Sequence, residues 1–382
     1  MTYPTTLASS LYAAMTGNEL PMERIPAAVG GINICAHQEV NTIDPGVHSA
    51  AIVAGGTVAF PNQIGVSFVG ESPAYVAGTA SYAFVAGAYD TINNQIAGTA
   101  IGPHHRLHAG GNHGAAIGGS TLSILGGSYN TLVGGGGAAQ GNSISGAGSN
   151  SAIVGGFSHS IASAGNGSAI VGGSGVTLSS SGSYNGALAC QSVTISGTAQ
   201  NAVAFGSSHT ITHSYTLTAG TQCIPVGPGT FTFSGASITE AGDCQRVSGA
   251  FKARTTNATL TNMSLSAGTA FLELDDTKTT AFTFVCTVTG IDEATKAMCS
   301  YRADICGYWD GTNLYFDDSA AAATGPATSG ERNFATTISD SIGVAAVPTL
   351  ALSTGSLRVK VTGKAATNIR WIAVFDFGMV KF

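Results

Sequence analysis

The sequence predicts an all-β protein made of three consecutive parts. Two kinds of repeat carry this prediction: a glycine-rich period with two short apolar segments, and a later region of longer strands with strict apolar alternation. The predicted parts are an N-terminal segment (1–45), a β-solenoid with rungs of about 16–17 residues (46–215) and an antiparallel β-sandwich of jelly-roll-like type (216–382).

Charge divides the chain in the same way. Among its 382 residues, 1–215 hold only two basic and six acidic residues, and 216–382 hold the other 12 basic and 14 acidic ones. No charged residue lies between Leu107 and Thr239, and the formal net charge is -6. Nucleic-acid binding needs clustered Lys and Arg, so the composition excludes a nucleic-acid partner.

Hydropathy and cysteine content indicate whether the chain enters a membrane, is exported or forms disulfides. No apolar run reaches the ~18 to 20 residues of a membrane-spanning helix, and no basic residue precedes Arg24 as a secretory signal would require. We therefore expect neither membrane insertion nor export by that route. The seven scattered cysteines favour reduced thiols, although pairing of Cys223 with Cys244 stays open.

The N-terminal segment fits neither repeat. A short helix is expected from Leu7 to Met15, and Pro21 ends whatever precedes it.

The solenoid prediction begins from an identical pair of segments. Residues 151–156 and 168–173 both read Ser-Ala-Ile-Val-Gly-Gly, which makes Ile153 and Ile170 equivalent inward positions. The compressed stretch from Gly118 to Gly137 is expected to form bulges or short rungs. A second apolar position follows each copy and predicts a second short strand per rung, at Ile92, Leu107, Leu132, Ile161, Leu178, Ile195 and Ile211.

The sandwich prediction rests on period-two alternation. In 281–289 the apolar residues fall at every second position, and the same alternation recurs in 299–309, 356–361 and 369–377. The pair Asp310-Gly311 indicates a hairpin turn. The residues expected to face inward are Phe282, Phe284, Cys286, Val288, Cys299, Tyr301, Ile305 and Trp309.

These patterns resemble a known family. The Gly/Asn/Ser-rich rungs are similar to the solenoid repeats of bacteriophage tail fibres. The C-terminal half resembles the distal domain of such fibres in its Q-R motif at Cys244–Arg246, its A-F-T-F strand from Ala281 and its closing motif from Val361 to Ala373. The resemblance covers about 320 of the 382 residues.

The resemblance implies a structural virion protein that mediates attachment to the host cell. Such a fibre is made in the host cytoplasm, forms a homotrimer, docks on a tail, baseplate or adaptor protein through its N-terminal segment, and binds a glycan or protein of the host surface. The sequence also supports a trimer independently of the resemblance, because a long uncharged surface is typical of an interface between subunits.

Three other classes of protein stand as alternatives to a tail fibre. They are a head-mounted fibre or decoration protein, a polysaccharide-degrading tailspike and a bacterial trimeric adhesin. A tailspike needs two carboxylates across a groove, yet the solenoid has no acid after Asp90, and both Asp90 and Glu71 are expected to form turns. We therefore expect a protein that is not an enzyme, with no catalytic residue and no cofactor.

All nine histidines lie between His37 and His213. A three-fold axis could gather the cluster His104, His105, His108 and His113 around a metal, but no H-x-H pair supports this, and no metal site is predicted. His159 and His209 are placed at the repeat position of Tyr129, which predicts a ladder of polar rings on one solenoid face.

The receptor-binding residues are expected in the segment 309–318. It combines aromatic rings with amides and carboxylates, the mixture that stacks on sugars and bonds their hydroxyls. Trp309 and Phe316 are expected in the core. The residues left as candidate contacts are Asn313, Tyr315, Asp317 and Asp318.

Overall fold

A computed structural model gives the fold. It describes residues 23–26, 32–35, 42–43, 51–52, 63–64, 84–86, 91–92, 98–102, 105–107, 113–135, 141–162, 165–235, 237, 241–265, 271–274, 279–311, 313–316, 331–334, 336–353 and 356–381. Up to residue 92 only backbone is described. These residues contain strands and turns but no helix, so the fold of this part of the chain is all-β, as predicted. The helix expected from Leu7 to Met15 lies outside the described residues.

The chain divides into two compact units, Met1–Gln191 and Ser192–Phe382. The division of the sequence at residues 45 and 215 remains a prediction. The strands of the first unit are β1 (Glu23–Pro26), β2 (Ile32–Cys35), β3 (Thr42–Ile43), β4 (Ala51–Ile52), β5 (Gln63–Ile64), β6 (Phe84–Ala86), β7 (Thr91–Ile92), β8 (Thr99–Ile101), β9 (Arg106–Leu107), β10 (Ala115–Ile117), β11 (Ser123–Ile124), β12 (Thr131–Val133), β13 (Ser143–Ile144), β14 (Ala152–Val154), β15 (Ser160–Ile161), β16 (Ala169–Ser174), β17 (Thr177–Leu178) and β18 (Gly186–Gln191).

The first unit is a β-solenoid. After the antiparallel pair β1–β2, the even-numbered strands from β2 to β18 form one parallel ladder, and the odd-numbered strands from β3 to β17 form a second. Each rung therefore contributes one strand to each ladder, which confirms the prediction of two short strands per repeat. Within the described residues of the first unit, nine strands of the first ladder and eight of the second stack in this way.

The register confirms the predicted period and corrects two details. Ile153 pairs with Ile170, 17 residues on, and both are fully buried. Leu132 was wrongly assigned to the second strand: it pairs with Ala116 and Ile153 in the first ladder. The stretch from Gly118 to Gly137, which is described up to residue 135, does not form a short rung either, because the paired residues Ala116 and Leu132 are 16 residues apart, within the predicted period.

Inward apolar side chains fill the narrow interior, and inward polar side chains form hydrogen bonds with the backbone. Leu107, Ile124, Ile153, Ile170 and Leu178 are fully buried. Polar side chains share this interior at certain rungs, where an acceptor satisfies the amide of the next rung. Asn130 Oδ1, for example, accepts from the N–H of Ser151 at 2.9 Å.

The second unit continues with short strands and then changes to long ones. Its strands are β19 (Thr194–Ile195), β20 (Val203–Ser207), β21 (Thr210–Ile211), β22 (Leu217–Thr221), β23 (Phe231–Ser234), β24 (Cys244–Thr255), β25 (Leu260–Asn262), β26 (Leu272–Glu273), β27 (Thr280–Asp292), β28 (Met298–Trp309), β29 (Leu314–Phe316), β30 (Glu331–Asn333), β31 (Thr336–Asp340), β32 (Ala346–Ser353), β33 (Ser356–Thr362) and β34 (Ile369–Lys381).

Parallel pairing gives way to antiparallel pairing at β23. Strands β20, β22 and β23 pair in parallel, and β23 then pairs antiparallel with β24. The long strands follow in the order β24-β34-β27-β28, with β29 and β31 both paired to β28. A second antiparallel sheet has the order β25-β33-β32-β30, with β26 also on β33.

Alternating side chains of both sheets form one core. Phe284 and Phe377 of the first sheet belong to the same buried cluster as Leu350 and Val359 of the second. Every residue predicted to face inward in 281–309 is buried. The two antiparallel sheets with a shared core agree with the predicted sandwich, and the jelly-roll comparison remains a prediction.

Candidate functional site

The predicted receptor segment forms a hairpin between β28 and β29. Asp310 Oδ1 accepts from the backbone N–H of Asn313 at 2.6 Å, which caps the turn as the Asp-Gly pair predicts. Asn313 is exposed, and the half-buried Tyr315 stacks on Tyr308 with ring centroids 4.5 Å apart. A hydrogen bond with Asp310 raises the pKa of Tyr315.

The hairpin thus holds two of the four candidate contacts. Trp309 and Phe316 are buried, as expected. Asp317 and Asp318 lie outside the described residues. The assignment of all four as receptor contacts stays a prediction, since a ring stacked within the hairpin and a capped turn also have structural roles.

The histidine ladder predicted from the repeats is wrong. His159 and His209 are buried inside their rungs, whereas Tyr129 is 56% exposed at a different rung position. Backbone N–H groups donate to the Nδ1 atoms of both histidines, that of Val176 at 3.3 Å and that of Cys223 at 3.1 Å. Burial lowers the pKa of both imidazoles. These two histidines therefore act as hydrogen-bond acceptors for the backbone of the next rung.

Two residues of the predicted histidine cluster, His105 and His113, are described, and they differ in burial. His105 is buried with Nε2 3.1 Å from the carbonyl oxygen of Ile101, and His113 is exposed. His104 and His108 lie outside the described residues. Among the described residues no group of three possible metal ligands occurs.

Several described carboxylates of the second unit form ion pairs or cap turns. Glu293 accepts from Arg254 at 2.8 Å and from Arg370 at 2.6 Å, and these bonds lower the pKa of Glu293 to about 2. Asp376 pairs with Arg246. Both carboxylates are ionised partners of exposed arginines, Glu293 in the turn after β27 and Asp376 on β34, and this arrangement favours a structural role over acid–base chemistry.

The thiols of Cys223 and Cys244 do not form a disulfide. Burial raises the pKa of Cys223 to about 11, as it does for Cys299. Because the thiolate is the reactive form, these buried thiols are poor nucleophiles.

One corner of the solenoid carries a row of residues with left-handed backbone. In the first unit the row consists of His113, Tyr129, Asn150, Gly167 and Tyr184, each with φ between 57° and 71°. We call this row the aromatic corner. It lies one residue before the buried position that precedes each first-ladder strand. The sequence prediction did not include this corner, although a Tyr-Asn pair recurs at two of its rungs and is the signal that could have revealed it.

One face of the solenoid carries a row of exposed apolar side chains. We call it the outward apolar row; it consists of Ile101, Ile117, Val133, Val154, Val171 and Leu188, each 36–44% exposed. The equivalent outward positions of the second ladder are small and mainly polar after Leu125, namely Ser145, Ala162 and Ser179. The two faces of the same stack therefore differ in chemistry.

Comparisons with known proteins add little to these observations. No protein-family model matches the chain, and no curated protein matches it. Among solved structures, the chain is similar to the tailspike protein of the Acinetobacter phage vB_ApiP_P1, with 9% identity and a TM-score of 0.16 over 88% of this chain and 76% of that one. A TM-score this low carries no argument. Within the described residues no helix could cross a membrane.

Proposed function

We propose that this chain is a structural virion protein: a homotrimeric phage tail fibre that attaches the particle to the host cell surface. The N-terminal segment 1–45 docks on a tail, baseplate or adaptor protein. The solenoid acts as a stiff spacer, and the C-terminal unit meets a glycan or protein of the host. The protein acts by binding and carries out no catalysis.

The outward apolar row is the observation that carries this proposal. Six successive rungs place an aliphatic side chain on the outside, in a stretch with no charged residue after Arg106. An isolated stack would leave this stripe in water, at a cost that grows with the exposed apolar area. A covered face is the arrangement that removes this cost.

A second and third copy of this chain fit the row best. Its side chains repeat at the rung spacing of about 4.8 Å, so a complementary surface must repeat at the same spacing. Identical solenoids around an axis parallel to the stack meet this condition, because each rung then faces its own copies. A three-fold axis closes such an assembly and buries the row of every protomer.

Recognition is assigned to the hairpin that follows β28. Binding residues are commonly carried by loops held on a rigid scaffold, and this hairpin projects from the long strands of the sandwich. The proposed contacts are Asn313, Tyr315, Asp317 and Asp318. In full-length trimers, replacing these four with Ala should abolish adsorption to susceptible cells without changing the melting temperature, and adsorption that survives would move the receptor site elsewhere.

Charged substitutions in the row test the trimer. Val154→Lys combined with Val171→Lys places two buried charges per protomer in the proposed interface, which should convert a particle of about 114 kDa, three times 38.0 kDa, into monomers in analytical ultracentrifugation. Ser145→Lys combined with Ala162→Lys, at equivalent positions of the second ladder, is the matched control. A wild-type chain that sediments as a monomer would refute the trimer.

A further inference from the structure

The residue immediately before each of the short strands β11, β13, β15, β17, β19 and β21 is buried. These residues are Leu122, Asn142, His159, Val176, Val193 and His209, and none is more than 1% exposed. We call this place in the rung the inner position. Histidine is the one residue type among them that takes up a proton near neutral pH, so His159 and His209 are the two members that can respond to mild acid.

Each of these two histidines bonds the next rung through its Nδ1 atom. The N–H of Val176 donates to Nδ1 of His159 at 3.3 Å, and the N–H of Cys223 donates to Nδ1 of His209 at 3.1 Å. Nε2 of His209 lies 2.7 Å from the carbonyl oxygen of Phe205, which places the ring proton on Nε2. Protonation of Nδ1 would set a second N–H against a backbone N–H, and the bond between the rungs would be lost.

No described charged side chain contacts either ring, so a protonated ring would find no counter-charge. Both histidines lie within the stretch from Leu107 to Thr239, which has no charged residue. Burial lowers the pKa of both rings, and only backbone hydrogen bonds oppose this effect. A ring that takes up a proton must therefore leave its buried position and reach water.

The groups that face the two rings do not titrate in mild acid. His159 lies between Asn142 and Val176 of the adjacent rungs, and neither of these side chains is ionisable. His209 faces Cys223 of the next rung. Burial raises the pKa of Cys223 to about 11, so its thiol stays neutral. The histidines are therefore the groups whose charge changes at these two junctions.

The antiparallel sheets of the second unit contain no histidine, because His213 is the last histidine of the sequence. Glu293 of that unit accepts from Arg254 and Arg370, and its pKa of about 2 keeps it ionised in mild acid. These ion pairs therefore persist under conditions in which a free imidazole is protonated. The response to mild acid should begin at the rungs that have a histidine at the inner position.

We propose that His159 and His209 make the solenoid acid-responsive: protonation of each ring opens the junction between its rung and the next, while the antiparallel sheets stay folded. The opened ring takes its proton from water, and a return to neutral pH removes the proton and restores the bond between the rungs. The stack thus becomes flexible at two defined junctions below about pH 6.5. This inference rests on the contacts between rungs and does not depend on the proposed fibre function.

Hydrogen–deuterium exchange of the full-length protein tests the proposal. Exchange is read by mass spectrometry at about pH 7.5 and about pH 5 and corrected for the intrinsic effect of pH on amide exchange. Peptides that contain the amides of Val176 and Cys223 should lose protection by about tenfold or more, because opening gains up to a factor of ten for each pH unit below the histidine pKa of the unfolded chain. Peptides from β27 and β34 should keep their protection and serve as the internal reference.

His159→Asn and His209→Asn supply the acceptor that Asn142 already provides at the inner position, so each should make protection at its own junction independent of pH. Asn142→His is the converse variant and should make the amide of His159 acid-sensitive. Protection that is unchanged in acid, a loss that persists in the asparagine variants, or an equal loss in β27 and β34 would overturn the proposal. If an asparagine variant does not fold, an amide of His159 that stays protected in acid in Asn142→His overturns it independently.

Discussion

At the residue scale, the solenoid interior shows how a buried polar side chain replaces a sheet hydrogen bond. Asn142 and His159 occupy equivalent positions in successive rungs. Asn142 Oδ1 accepts from the N–H of His159 at 3.0 Å, and His159 Nδ1 accepts from the N–H of Val176. Either side chain satisfies a backbone donor that would otherwise be buried without a partner, which would cost about 1–3 kcal/mol.

The asparagine and histidine acceptors differ in their response to pH, because only histidine titrates near neutral pH. The pKa of His159 and His209 lies below the ordinary value of 6.5, since burial disfavours the charged ring. Below about pH 6.5 the unfolded chain therefore binds more protons than the folded chain. The free energy of unfolding should fall as the pH drops from about 6.5 toward the lower pKa of the folded histidines. Well above pH 6.5 these two histidines are neutral in both states and contribute no pH dependence.

His159→Asn with His209→Asn should remove part of this loss while keeping the fold, because asparagine already does the same work at Asn142. Thermal unfolding followed by circular dichroism between about pH 7.5 and about pH 5 measures the slope. A double variant with an undiminished slope would contradict the assignment.

His159 and Tyr129 show why the predicted ladder of polar rings was wrong. His159 and Tyr129 each stand shortly before an apolar residue, so the one-dimensional pattern gave them one repeat position. The structure separates them because a rung has two strands, and His159 precedes β15 whereas Tyr129 precedes β12. Which ladder a residue joins depends on pairing between rungs, which spacing alone does not determine.

At the element scale, the end of strand β16 contains two adjacent glycines that are not equivalent. Gly172 and Gly173 both have positive φ, 65° and 88°. A Cβ on Gly172 would meet nothing within 4 Å, but one on Gly173 would lie 1.8 Å from the carbonyl oxygen of Cys190. The second glycine therefore permits close stacking of rungs, and the first only permits a left-handed backbone conformation.

Gly172→Ala should lower the free energy of unfolding by only about 1–2 kcal/mol, the cost of a left-handed alanine. Gly173→Ala adds a collision with backbone that cannot move without separating β16 from the next rung, so its cost should be larger by several kcal/mol. Urea unfolding of the two variants measures the difference. Equal costs would show that the rungs are not packed as described.

The elements that could be predicted are those with a strong local period. Strand β27 alternates over 13 residues, and its inward face follows from the letters alone. The rung from Gly118 to Gly137 could not be read correctly, because its glycines repeat without the Ala-Ile-Val signature and its strand β12 reads Thr-Leu-Val. Two-residue strands such as β11 carry too few residues to fix their own register.

At the scale of the whole chain, charge and aromatic residues are distributed by unit. Salt bridges such as Arg246–Asp376 and Arg254–Glu293 lie on the exposed face of the second unit, where charged side chains remain hydrated. The chain has two tryptophans, Trp309 and Trp371, and both are buried in the sandwich core of that unit. Tryptophan fluorescence therefore reports on Ser192–Phe382 alone.

This placement gives a test of where the independently folding unit begins. A fragment of residues 192–382 should keep the emission maximum that tryptophan fluorescence gives for the full chain. A fragment of residues 216–382 lacks β20 (Val203–Ser207), whose parallel pairing with β22 (Leu217–Thr221) covers one edge of the sheet. This shorter fragment should melt at a lower temperature than the fragment 192–382, because the backbone groups of β22 lose their partners. Equal melting of the two fragments would place the boundary at residue 215, where the change in charge predicts it.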